Sequence, residues 1–162
     1  MDKTSYFNHC LARHEELLFQ ELAQASMWKP EYVGIDYIQS KEIKGNTVEE
    51  VVDNCIKEMK ADGLIKDASY KQGPEGILLK LVVQGCVHME KEVMLKKNGV
   101  NPYCCPITNM IFDRILEILG YEITFLGGNL EIDEATGECV IKCGIWESAE
   151  KVGETVSDWR DF

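Results

Sequence analysis

CPITNMIFDRILEILGYEITFLGGNLEIDEATGECVIKCGIW, residues 105–146, is the stretch whose reading decides the fold. Pro106 suits a first helical turn, where its missing N–H costs nothing. Ile107, Met110, Ile111, Ile115, Ile118 and Leu119 then recur at helical spacing, and Gly120 supplies an exit. Residues 121–132 and 139–146 read as two strands of a hairpin, with the turn in Asp133-Glu134-Ala135-Thr136-Gly137. Cys139, Ile141, Cys143 and Ile145 alternate onto one strand face, which the preceding helix is placed to cover.

Working outward, residues 77–88 and 65–71 are further strand candidates, joined by a turn at Gly73-Pro74-Glu75-Gly76. Residues 47–61 read as a helix with Val48, Val51, Val52, Cys55, Ile56 and Met59 as its apolar stripe. Thr47 with Glu50 forms a capping box, and Asp62-Gly63 stops the helix. Residues 90–97 look like a short helix closed by Asn98-Gly99. Residues 4–25 read as a helix whose apolar positions are Leu11, Leu17, Leu18 and Leu22, with His14, Glu15 and Glu21 among the polar ones, ended by Lys29-Pro30. Residues 32–38 (YVGIDYI) fit a strand or an extended connector. Gly127-Gly128 suggests a bulge or kink within a strand. The order predicts a single α+β domain, an antiparallel sheet of hairpins covered by helices. From residue 148 onward the chain is a polar tail, pinned by Trp159 and Phe162 if at all.

Composition narrows the function classes. The 162 residues favour one domain, and the net charge of −11 leaves no basic stripe for nucleic acid. No apolar run is long enough to span a bilayer, so no membrane partner is expected. The opening MDKTSYFNHC has no apolar export core, and a cytoplasmic location is expected. Seven cysteines, an odd number without an export signal, argue against a disulfide framework. Buried packing or thiol chemistry remains. No phosphate loop, dinucleotide fingerprint, nucleophile elbow or H-E-x-x-H motif is present.

Five residues carry candidate chemistry. Cys86 and His88, two apart at a strand end, face one way with Cα atoms ~6.5–7 Å apart, a spacing that suits two ligands on one ion. Cys104-Cys105-Pro106 precedes a helix, whose N-terminus favours thiolate; adjacent side chains diverge, so one of the two cysteines faces the site. Cys139 and Cys143 are separated by ~13 Å along a strand and cannot share an ion; Cys143 is assigned to the core. A three-residue turn at Glu134-Ala135-Thr136 sets Glu131 directly across from Cys139, with Cα atoms ~5 Å apart. Like charges that close call for a cation or proton between them. Cys86, His88, Cys105, Glu131 and Cys139 together make a mixed N/S/O set suited to zinc or a similar divalent metal. His9 and His14 lie apart from this set and read as surface residues.

Residues 105–146 resemble the 4-vinyl reductase domain family of small-molecule-binding and sensor domains. Its pattern is a Cys at a helix start, an apolar helix, a Gly, a strand with a second Cys, and a turn Gly shortly before a third Cys. Cys105 takes the first position, Glu131 falls on the second, and Gly137 precedes Cys139 at the third. In metal-binding members the cysteines ligate zinc with an acidic residue, whose place here falls near Gln84, beside Cys86 and His88. The resemblance implies a domain that encloses an apolar, aromatic or tetrapyrrole-like ligand, with output through a homodimer or a separate protein. Tyr103, Met110, Phe112 and Met94 are the expected ligand walls. The hydrolases of aminothiazoline carboxylic acid share a similar C-terminal pattern. They supply the enzymatic alternative, with Cys105 as nucleophile activated by His88, or with zinc-bound water.

Overall fold

In a computed structural model of the chain, residues 1–23, 32–73, 77–100, 105–124, 130–146 and 148 are described. The elements run α1 (Lys3–Leu22), α2 (Ile35–Gln39), α3 (Val48–Ala61), β1 (Asp67–Gln72), β2 (Ile77–Gln84), α4 (Met89–Lys97), α5 (Pro106–Leu119), β3 (Glu122–Thr124), β4 (Glu131–Asp133) and β5 (Glu138–Trp146). This is the expected α+β arrangement. The Gly127-Gly128 kink, the Lys29-Pro30 helix end, most of the 73–76 turn and the tail beyond Ser148 lie outside the described residues.

The sheet is antiparallel throughout, in the order β1-β2-β5-β3, with β4 also paired to β5. Its inward face is built from cross-strand pairs of β2 and β5: Leu79 with Cys143, Leu81 with Ile141, Val83 with Cys139. Every member of those pairs is buried. The apolar stripes of α3 and α5 close over this face and form one core with it, including Val51, Cys55, Met59, Ile107, Ile111 and Ile115. Period-two alternation on the strands meets period-3.6 stripes on the helices, which is why the sequence reading placed this core correctly.

Local signals set most boundaries. Thr47 Oγ1 accepts from the Glu50 N–H at 3.2 Å, but the Glu50 carboxylate reaches back to the N–H of Asn46 at 2.7 Å, one residue before the cap. Gly120 closes α5 in the left-handed region, at φ 68°. Within the segment 32–38, Ile35 to Ile38 belong to α2 instead of a strand or extended connector; Ile38 packs into the core, and α2 lies against α5.

The first helix inverts the sequence reading. Its buried face is Asn8, Ala12 and Glu15, while Leu17 and Leu22 are exposed. The cause lies across the interface in α4, where Lys91 is fully buried. Lys91 Nζ donates to both Glu15 oxygens, at 2.8 and 3.0 Å, and lies 2.7 Å from Glu92 Oε1. Burying that ammonium without carboxylates would cost several kcal/mol, so the helix turns its glutamate inward. Ala12, Leu95 and Val100 form a small apolar cluster beside the ion pair.

The β4–β5 register is also one residue from expectation. Ile132, not Glu131, is opposite Cys139; Glu131 pairs with Val140 and Asp133 with Glu138. The turn is therefore four residues, with the Ala135 N–H donating to Asp133 Oδ1 at 2.9 Å and the Gly137 N–H to Asp133 O at 2.9 Å. A slip of one residue exchanges the two faces of a strand. Ile132 turns toward the core and Glu131 toward solvent.

Two outcomes test these placements. Lys91→Ala is expected to lose about 3–5 kcal/mol in urea unfolding, because two carboxylates lose their buried cation. The triple replacement Glu15→Leu, Lys91→Met, Glu92→Leu is expected to recover most of that loss. Glu131→Lys is expected to shift stability by no more than about 0.5 kcal/mol, as for an exposed position; a large loss would restore the inward-facing register.

Candidate functional site: a thiol pair beneath an acidic-rimmed cleft

The site is assembled where three segments converge. Strand β2 ends at Gln84, and Gly85 turns the chain in the left-handed region at φ 60°. A Cβ there would stand 2.6 Å from the Lys66 side chain, so the position requires glycine on both counts. The Gly85 N–H donates to Gly137 O at 3.0 Å, which ties this turn to the β4–β5 turn. Cys86 and His88 therefore do not share a strand face, as the C-x-H spacing suggested. Cys86 sits in the turn, and His88 is the N-cap of α4.

Cys105 is the N-cap of α5, in extended conformation, with Pro106 behind it. Its Sγ lies 3.1 Å from Thr108 Oγ1, and the Cys86 thiol is near enough to shift its ionisation. Cys86 Sγ in turn accepts the His88 N–H at 3.3 Å. The Cys86 thiol, the largest influence, and the hydrogen bonds from Thr108 outweigh burial and bring the Cys105 thiol down to about 6. The same proximity, with burial, pushes the Cys86 thiol up. Of the two thiols, ionisation is favoured on Cys105.

Around the pair stand groups whose ionisation burial opposes. The Glu92 carboxyl is pushed up to about 8, mainly by desolvation, and neither oxygen has a well-directed hydrogen-bond donor among the described residues. His88 is held down to about 4 by burial and then by the Lys91 charge, and its Nδ1 is buried without a described partner. Cys139 donates to Met89 Sδ at 3.8 Å, and burial raises its thiol to about 12. Cys143 points at Leu79 O, 3.6 Å away, in the core position expected for it.

The zinc-like site built on Cys86, His88, Cys105, Glu131 and Cys139 is overturned. Among the described residues, no group of three or more His, Cys, Asp and Glu side chains is placed to hold a metal ion. The register carries Glu131 to the outer face, Cys86 is engaged by the His88 N–H and Cys105 by Thr108, and Cys139 is turned to a thioether. Sequence reasoning also missed Lys91, Glu92 and Glu15, which read as solvated charges. For Lys91 and Glu92, the only hint of burial was their spacing from Leu95, three and four positions on along the same helix.

Above Cys86 opens a cleft of about 630 Å³ between the start of α1, α4 and the β4–β5 turn. Its floor is Cys86, Val87, Met89, Val93 and Met94; its rim carries Asp2, Glu90 and Glu134, with Lys97 held 3.2 Å from Glu134. Asn8 Nδ2 donates to Val87 O at 2.7 Å and fixes α1 against the floor. Of the expected ligand walls, Met94 lines this cleft, Met110 and Phe112 are buried in the main core, and Tyr103 and Cys104 lie outside the described residues.

No known protein family, no curated protein and no solved structure matches the chain. The kinship of residues 105–146 to the 4-vinyl reductase domain has no support from these comparisons, and the zinc set that it implied is not assembled.

The Cys105 assignment has a spectroscopic signature. Ultraviolet thiolate absorbance is expected to rise with a midpoint near pH 6 and to vanish in Cys105→Ser. The sign for stability follows: an acid whose folded value lies below its ordinary value near 9 stabilises the fold above that ordinary value, and the contribution is lost as pH falls through about 6. Cys105→Ser should therefore remove a rise in stability between about pH 6 and 9, measured by urea unfolding across pH.

Proposed function

We propose that the domain binds a small, neutral or weakly polar ring compound in the cleft above Cys86, as a sensor or carrier. The observation that supports this reading is the contrast between floor and rim. Val87, Met89, Val93 and Met94 offer an apolar base, and Asp2, Glu90 and Glu134 ring the mouth. Small-molecule sites combine an apolar wall with a few convergent polar groups, in volumes of roughly 300–1,000 Å³. Methionine walls adapt to varied apolar shapes. A polyanion such as a nucleotide would meet like charge at the mouth, in a chain of net charge −11.

A ligand seated there meets Cys86 first, because Cys105 is wholly buried behind it. That order favours recognition over attack by Cys105 on a bound substrate. Any response would travel through α1 and α4, the two helices that flank the cleft, toward a second copy or an output protein. A thermal-shift screen of aromatic and tetrapyrrole-like compounds against nucleotides tests the reading. At least one ring compound is expected to raise the melting temperature more than every nucleotide. Val93→Glu is expected to abolish that shift while leaving the ligand-free melting temperature close to the parent's. A nucleotide that stabilises the chain more than all ring compounds refutes the reading.

A further inference from the structure

Helix α1 has two faces, and the folded chain buries only one of them. Asn8, Ala12 and Glu15 turn inward, where Glu15 meets Lys91 and Asn8 donates to Val87 O. Those contacts fix the rotation of the helix. The opposite side then carries a second row, at the alternating three- and four-residue spacing of a helix–helix seam: Lys3, Phe7, Cys10, His14, Leu17 and Glu21. All six are exposed, Phe7 to 53% and Leu17 to 58%. Leu11 and Leu18, half-buried, flank the row on one side. On the other, the Tyr6 ring meets the Phe7 ring edge-on, with centroids 5.7 Å apart.

We propose that this row is a dimer surface, on which α1 of a second copy packs antiparallel about a two-fold axis. The order of residues along the row is self-complementary in that direction. Lys3 of one copy stands opposite Glu21 of the other, Phe7 opposite Leu17, and Cys10 opposite His14. The two-fold axis repeats each layer, so two ion pairs close the ends and two Phe–Leu layers supply the apolar burial. A parallel pair would set Lys3 against Lys3 and Glu21 against Glu21, like charges at both ends. Arg13, at the edge of the row, is already paired with Glu16. A two-fold contact is closed, so association stops at two copies.

The 20 residues of α1 make a contact about 30 Å long. That is less area than the ~800 Å² per partner of a standard interface, so the dimer exchanges with monomer. The seam leaves the cleft accessible, because Ser5 and Asn8 line it from the other side of α1. The proposal does not depend on what the cleft binds.

The test is sedimentation of the reduced full-length chain, from about 1 μM to about 1 mM. A reversible monomer–dimer equilibrium is expected. Leu17→Glu places a carboxylate opposite Phe7 and is expected to raise the dissociation constant about tenfold or more, with the circular dichroism of the monomer unchanged. Lys3→Glu and Glu21→Lys are each expected to weaken the dimer roughly threefold to tenfold, and the two together to restore it. Single replacements without effect would mean a parallel pair and overturn the antiparallel seam. A dimer indifferent to Leu17→Glu would place the interface on another face. A chain that stays monomeric throughout overturns the proposal, and loss of stability in its Leu17→Glu variant would assign the row to cover by another segment of the same chain.

Discussion

Strand β5 is paired on both edges, and the rest of the molecule is hung from that constraint. β2 holds one edge over its whole length, while β3 and β4 share the other. A strand fixed on two sides cannot slip, so Cys139, Ile141, Cys143 and Ile145 are committed inward together. Their burial gives α3 and α5 a continuous apolar surface to cover. The same pairing brings the β4–β5 turn against the turn after β2, where the Gly85 to Gly137 hydrogen bond joins them. The thiol pair and the cleft are both built on that junction.

A second buried element orders the other half. Lys91 anchors α1 to α4 through Glu15 and sets the outer wall of the cleft. Its charge also acts inward, lowering the Cys105 thiol and discouraging protonation of His88. Glu92 sits between these influences, with desolvation winning over its lysine neighbour. One ammonium thus helps to hold two helices together and biases the ionisation of the groups beneath the cleft. In a low-dielectric interior such coupling extends further than it would at the surface.

The two failures of the site reading have one origin. Placing Cys86 and His88 on a strand required β2 to continue past Gln84, and pairing Glu131 with Cys139 required a three-residue turn. Each error is a single local step, a strand ended early or a turn lengthened by one. Each moves a side chain to another face or element. A set of ligands is more sensitive to such steps than a core is, because apolar positions recur and a ligand position does not.

The sequence by itself determined the α+β class, the helices 48–61 and 106–119, the antiparallel hairpins, and the inward face of β5. These follow from apolar periodicity, caps and turn residues, all of which act within a few positions of the chain. It also marked Cys105 as a thiol at a helix start and Cys143 as a core residue. Only the tertiary structure decided that Glu15, Lys91 and Glu92 are buried, that Cys86 comes near Cys105, and that an apolar-floored cleft opens beside them. Each of these is a meeting of residues far apart in the chain. Charges read as solvated until a partner across an interface is known, and a thiol's neighbour is fixed by register and packing, which no local pattern encodes.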